Sequence, residues 1–363
     1  MPSEAVLKEL QDLYLADDVK VPPEAASWTK DEAEAFFESG GMSWPPPRTA
    51  TAAASPPTGI LRWLVDISKW TPTKPQWECL LKTLPQEDQT KVMRFKFEAD
   101  QRRALVSRLL QRRASAETCG LKQSEVVIAR TKGGKPYLAN RPAATADAFP
   151  NWNFNVSHEG DFVALAAEPL LLCGIDVAAP GQVRGKQRSL EEQFDLMKNS
   201  FTAFEWQSIR AAGPSERLME DSFRKHWSLK EAFTKGRGDG LGFDFKKCEF
   251  TIEAPREVEH KGSAGQPVEI ASVVAEDVPR PLWRFYVQHA GADHWVSVSR
   301  GPPTDAIDAL GNFKRTFRQP EPQADVMEEH LMRPEAPFEP KRIEDLVPVE
   351  ILGEYLRLSV TVP

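Results

Sequence analysis

Residues 225–245 read KHWSLKEAFTKGRGDGLGFDF. Trp227, Glu231 and Lys235 fall four apart and so line one face of a helix. Gly236, Gly238, Gly240 and Gly242 then interrupt the chain, which ends the helix and permits positive φ or close backbone approach. A carboxylate and an ammonium one turn apart, beside a flexible cradle, suit a magnesium-bound phosphate. The same spacing suits an ordinary surface ion pair, because Glu four residues before Lys is the favoured order, worth about 0.2–0.5 kcal/mol. Spacing alone leaves both readings open.

Upstream of this stretch, residues 188–235 are mainly helical in pattern. Phe194, Met197 and Phe201 share a face, Pro214-Ser215 restarts the helix, and Met219, Phe223 and Trp227 lead into the glycine turn. Downstream, residues 248–252, 282–288 and 294–299 read as strands, the last two a hairpin over Gly291. Residues 170–180 (LLLCGIDVAAP) form an apolar run closed by Asp176. A strand there delivers an acid to the edge of a site; a helix cap or turn fits equally. Residues 151–167 alternate into a strand after the polar Asn155-Val156-Ser157-His158. Ser157, His158 and Asp161 do not form a triad: neighbours on a strand face opposite ways, and no G-x-S-x-G elbow is present. A Ser-His pair in a turn can instead donate to phosphate oxygens. In residues 129–138 (ARTKGGKPYL), Arg130, Lys132 and Lys135 flank Gly133-Gly134. Backbone N–H groups and cations converge on a phosphate there, or a basic hairpin turns there. The P-loop spacing is absent.

Residues 86–120 are helical in period, ending at Gly120. Their polar face is basic, with Lys91, Arg94, Lys96, Arg102, Arg103, Arg108, Arg112 and Arg113. That is a solvated face or a local anion site. Residues 60–67 (ILRWLVDI) begin the folded body as a buried strand. Before them, residues 1–57 read as an appendage: two short helices, around 7–14 and 29–37, then a Pro/Ala/Thr linker. Beyond Arg300 the chain is Pro/Glu-rich and either wraps the body or is mobile.

The length of 363 residues suits two domains or one elaborated domain, and a net charge of −7 provides no field for nucleic acid. No apolar run approaches membrane-spanning length, and the acidic N-terminus resembles neither a secretory signal nor a transit peptide. Cys79, Cys119, Cys173 and Cys248 are widely spaced, so neither a zinc site nor a disulfide framework is expected. A cytoplasmic location follows as the expectation.

Together, GGKPYL, FNVSHEGDFVALA, GIDV and WSLKEAFTK, in this order over residues 60–300, resemble the 4′-phosphopantetheinyl transferases of the Sfp type. Within that family the likeness is greatest to the stand-alone animal branch, the aminoadipate-semialdehyde dehydrogenase phosphopantetheinyl transferases. The resemblance implies an α+β fold, a pseudo-dimer of two similar α/β halves with coenzyme A in the cleft between them. Residues 58–170 and 171–300 would be those halves, followed by a tail from 301 to 363. It implies transfer of the phosphopantetheine arm of coenzyme A to a serine of apo acyl- or peptidyl-carrier domains. It further implies Mg2+, a monomer, and places in lysine (aminoadipate) metabolism and fatty acid synthesis. Asp176 and Glu231 match the metal-binding carboxylates, and Lys235 the lysine on the coenzyme A phosphates; these three are the expected catalytic residues. Ser157 and His158, with Asn155 in the same motif, match the phosphate-contacting pair. Arg130, Thr131, Lys132, Gly133, Gly134 and Lys135 match the segment at the adenosine end, and Lys91 falls near a further coenzyme A contact. Bacterial members carry a second acid two residues after the GID aspartate, where this chain has Ala178. The resemblance also makes the basic helix a candidate docking face for an acidic carrier. The rival readings are a non-catalytic coenzyme A- or carrier-binding protein and a magnesium-dependent nucleotide hydrolase.

Overall fold

The computed structural model describes residues 58–181, 189–253 and 268–359. The expected N-terminal helices, the proline-rich linker and the last residues to Val362 lie outside the described residues. In chain order the elements are β1 (Leu61–Asp66), α1 (Lys74–Lys82), α2 (Gln86–Met93), α3 (Glu98–Cys119), β2 (Ile128–Arg130) and β3 (Pro136–Leu138). Then come α4 (Ala143–Ala148), β4 (Asn153–Glu159), β5 (Phe162–Glu168), β6 (Leu172–Ala178), α5 (Leu190–Leu196), α6 (Ala203–Ala211) and α7 (Glu216–Arg237). The rest are β7 (Cys248–Ile252), β8 (Glu269–Ala275), β9 (Val278–Pro279), β10 (Arg284–Gly291), β11 (His294–Gly301), α8 (Ala324–Met332), β12 (Glu339–Pro340) and α9 (Leu352–Arg357). The fold is α+β.

Local chemistry explains most boundaries. The Ser215 hydroxyl accepts from Leu218 N to start α7, and Gly238, at φ +91°, ends it with its N–H on Thr234 O. Gly120 ends α3 in the same left-handed way. The helix expected over 86–120 is broken at 94–97. Glu98 and Asp100 open a new first turn there, favoured by its dipole, and the Gln101 amide donates to Phe95 O. Two other expectations need correction. Ser157 and His158 lie within a strand, because the turn comes later, at Gly160-Asp161; and Asp176 is followed by two further strand residues.

One sheet has the order β12-β1-β5-β4, the other β6-β11-β10-β8-β7 with β9 on β8, and β2 pairs with β3 as a separate hairpin. Alternation on β5 shows the layering. Val163 and Leu165 pack with Leu105 and Leu109 of α3, whereas Phe162, Ala164 and Ala166 pack with Cys173, Ile175 and Val177 of β6 and Val296 and Val298 of β11. On the far side of the second sheet, Leu229 and Phe233 of α7 meet Phe250, Phe285 and Val287. The order is helix, sheet, sheet, helix.

The two sheets meet edge to edge at β4 and β6, and side chains replace the usual backbone ladder. Asn153 Oδ1 accepts Cys173 N at 3.0 Å and Asn155 Oδ1 accepts Ile175 N at 3.2 Å. Ser157 Oγ accepts Val177 N at 3.2 Å and Glu159 Oε2 accepts Ala179 N at 2.7 Å. Four alternate residues of β4 thus satisfy three buried donors of β6 and that of Ala179 just past its end.

The chain beyond Arg300 wraps the body. Phe313 and Phe317 meet edge to face, and Phe313 also packs at a tilt against Tyr137. β12 pairs parallel to β1, and Ile343, Leu346, Val347 and Tyr355 enter the core around α3. Glu335 lies 2.5 Å from Arg62, which also pairs with Glu168 at 2.5 Å, all three side chains being buried. Arg300 approaches Glu335 at 3.7 Å, so the segment bonds to both sheets. Among the described residues no helix is long and apolar enough to cross a membrane.

Candidate active site

The site begins with a close approach. A Cβ on Gly174 of β6 would sit 2.0 Å from Ala232 O and 2.5 Å from Gly236 N, so only glycine lets α7 lie this close to the strand. Two residues on, Asp176 faces the same helix. Its Oδ1 lies 2.5 Å from Lys235 Nζ and accepts from Ser157 Oγ at 2.9 Å, and Lys235 also donates to Ser157 Oγ at 3.1 Å. Glu231 Oε2 is 4.0 Å from the same ammonium. The helix ion pair anticipated from spacing is therefore the looser contact; the shorter one crosses to β6. One ammonium within reach of both acids brings Asp176 and Glu231 to a common site.

Burial dominates the electrostatics. It raises the Asp176 carboxyl above its ordinary range, although Lys235 and Ser157 pull the other way. Glu231 is likewise raised by burial, partly offset by Lys235 and reinforced by Asp176. Burial opposes the charge on Lys235, yet Asp176 and Glu231 more than offset it and raise its pKa. Desolvation, then Lys235, Arg103 and Arg108, pushes His158 down to about 4. Burial and then Arg108 hold the Arg130 guanidinium below its usual value. Cations crowded in this way favour an anion among them.

A cavity of about 570 Å³ opens beside these groups, its lining including Arg130, Gly133, Gly134, Lys135, Asn155, Glu231 and Lys235 and the aromatic Trp227, Phe243 and Phe245. Its floor is a second glycine contact: a Cβ on Gly133 would lie 2.2 Å from Gly238 O, so the β2–β3 turn rests on the turn that ends α7. Thr131 closes the β2–β3 turn, its N–H on Lys135 O at 3.0 Å and its hydroxyl accepting Lys135 N at 3.1 Å. Lys132 is exposed on that turn. Lys135 is 3% exposed and sends its ammonium inward, to Cys173 O at 2.7 Å and Lys235 O at 3.2 Å; burial lowers its pKa to about 8. Lys91 is off the cavity wall, 2.6 Å from Glu87. Much of the expected basic face is also used internally: Arg102 donates to Trp70 O, Arg103 to Gly160 O and Arg112 to Gln123 O.

Residues 68–170 match the family described as 4′-phosphopantetheinyl transferase, N-terminal, and residues 172–298 match the 4′-phosphopantetheinyl transferase superfamily. The L-aminoadipate-semialdehyde dehydrogenase-phosphopantetheinyl transferase of Rattus norvegicus is 34% identical over 246 residues, covering 67% of this chain and 75% of its own. That of Homo sapiens is 32% identical over 266 residues, covering 71% and 82%. This chain belongs to the 4′-phosphopantetheinyl transferase superfamily. A phosphopantetheinyl transferase of Thraustochytrium is 36% identical over 201 residues, covering 54% of this chain and 67% of its own.

This transferase holds two acids that sequence reading passed over. Glu159, on the face of β4 that carries Ser157, is raised to about 7 by burial and by the nearby Asp176. The signal was the alternation Asn153, Asn155, Ser157, Glu159, a polar face that an ordinary buried strand does not show. Glu205, fully buried, pairs with Lys230 at 2.8 Å and fixes α6 to α7. Among the described residues no group of three His, Cys, Asp or Glu side chains could hold a metal ion. Asp176 and Glu231 offer two hard oxygen donors, desolvated and sharing a single ammonium, which fits magnesium held largely by substrate and water.

Proposed function

We propose that this transferase moves the 4′-phosphopantetheine arm of coenzyme A onto a serine of an apo acyl- or peptidyl-carrier domain, including carriers of the aminoadipate-semialdehyde dehydrogenase kind. The observation that carries the proposal is the convergence of Asp176, Lys235 and Glu231 beside a cavity walled by cationic and glycine-rich backbone. Coenzyme A lies in that cavity, in the cleft of a pseudo-dimer whose halves are 58–170 and 171–300. In support, each large sheet carries a 22-residue helix ending at a left-handed glycine, and the cavity wall takes Asn155 and Val156 from β4 and Trp227, Glu231 and Lys235 from α7. Arg130, Thr131, Lys132, Gly133 and Gly134 hold the adenosine end; Asn155, Ser157, His158 and Lys235 hold the phosphates; Lys91 adds a peripheral cation.

Magnesium, held by Asp176 and Glu231, supplies charge neutralisation at the pyrophosphate. The carrier serine oxygen forms a bond to the phosphorus bearing pantetheine, and the bond from that phosphorus to adenosine 3′,5′-bisphosphate breaks. Lys235, kept protonated by its two acids, stabilises the charge that builds on the phosphate oxygens. Glu231, on the cavity wall one turn before Lys235, accepts the serine proton. The nucleophile belongs to the partner, so this chain needs none of its own. Incubation with coenzyme A, magnesium and an apo carrier domain is expected to add one phosphopantetheine mass to the carrier serine. An unmodified carrier recovered from that mixture sinks the reading.

A further inference from the structure

The sequence places Lys135 in a phosphate-binding turn, and the residue does belong to the cavity wall, but its ammonium is engaged by two main-chain carbonyls. The side chain is 3% exposed, and Nζ donates to Cys173 O at 2.7 Å and Lys235 O at 3.2 Å. Its Nζ also lies 5.7 Å from the centroid of the Phe313 ring, supplied by the segment beyond Arg300.

The two carbonyls are informative. The last four C=O groups of a helix have no partner within it, and each buried one needs a donor from outside. At the end of α7, Thr234 O receives Gly238 N and Arg237 O receives Ile307 N. Lys235 O receives the Lys135 ammonium, at the negative end of the helix dipole, where a cation is favoured. Cys173 lies on β6 three residues before Asp176, and its own N–H is already held by Asn153. One buried cation thus ties the main chain of the residue that presents the reactive ammonium to the strand that presents the acid. We propose that Lys135 is a positioning residue of the transfer reaction: from the β2–β3 turn it fixes α7 against β6 so that Lys235 and Asp176 stay in register, while the backbone of its own turn meets coenzyme A. This inference rests on the transferase reading above.

The test separates a clamp from a phosphate ligand. Lys135→Met keeps the buried stem and removes the donor. It is expected to lower kcat by roughly 10- to 100-fold, the scale of a small misplacement of reacting groups, while the calorimetric Kd for coenzyme A changes little. Amide hydrogen exchange should rise selectively at residues 234–239. Phe313→Leu, which removes the ring beside Nζ, should shift kcat and exchange in the same direction by less, and it keeps the question answerable if Lys135→Met folds poorly. A Kd that rises as much as kcat falls, or unchanged exchange at the end of α7, overturns the proposal. If the wild-type protein binds coenzyme A but modifies no carrier, the transferase reading fails instead, and the exchange measurement still reports on the clamp.

Discussion

At the level of single residues, the proposed site rests on two acids, Asp176 buried and Glu231 half-buried. Asp176→Asn takes the carboxylate from the Lys235 ammonium 2.5 Å away and is expected to abolish transfer while the protein still folds. Transfer at near-normal rate would remove Asp176 from the site. Glu231→Gln should behave alike. The burial shifts of both acids set the acid limb of the pH profile. Raised carboxyl pKa values mean that both acids retain protons at a pH where ordinary carboxylates have lost them. On acidification, kcat/KM should therefore fall sooner than for a site with ordinary carboxylates, the pair titrating together. A profile flat down to the ordinary carboxylate range contradicts this. These two acids were legible because WSLKEAFTK and GID carry them in short, ordered motifs. Lys135 and Lys230 were not, because a lysine in a polar run reads as surface unless the carbonyls that wait for it are known; Lys230 is fully buried and donates to Phe245 O.

Among the elements, the helix ends and the β10–β11 hairpin were plain from Ser215, Gly120, Gly238 and Gly291, each with a backbone reason for its place. β4 was not, since Asn155, Ser157 and His158 are poor strand formers until the edge of β6 gives their oxygens something to accept. Asn155→Ala leaves Ile175 N without its partner in a buried setting, and a loss of roughly 1–3 kcal/mol is expected from urea unfolding. No change in midpoint would mean that water replaces the amide. The start of α3 carries the docking question. With Arg102, Arg103 and Arg112 bonded to backbone, Arg94 and Lys96 are exposed cations there, Lys96 lying 5.6 Å over the Phe97 ring, set among Met93, Phe95 and Phe97, which are 49%, 42% and 63% exposed. Charge reversal at Arg94 and Lys96 should raise the carrier KM and flatten its salt dependence without altering coenzyme A affinity. An unchanged carrier KM returns this stretch to a solvated loop.

Across the whole molecule, the chain beyond Arg300 turns out to be structural, and nothing periodic in it announces this. Its anchors, Phe313, Glu335, Ile343, Leu346 and Tyr355, are single residues spaced irregularly along a proline-rich run. Glu335 matters most, because Arg62 and Arg300 both lean on it from different sheets. Glu335→Ala leaves buried guanidinium charge short of a carboxylate and is expected to destabilise the protein by about 3–5 kcal/mol. Replacing Arg62 by Met in the same chain should recover part of that loss. If Glu335→Ala unfolds at the wild-type midpoint, the anchor is idle. The seam between β4 and β6 has a consequence of another sort. Strands paired through their backbones join regardless of which residues they carry, so that kind of union is hard to edit. Here the stitches are an amide, an amide, a hydroxyl and a carboxylate, each encoded separately, and each one open to loosening by a single codon without unpicking its neighbours.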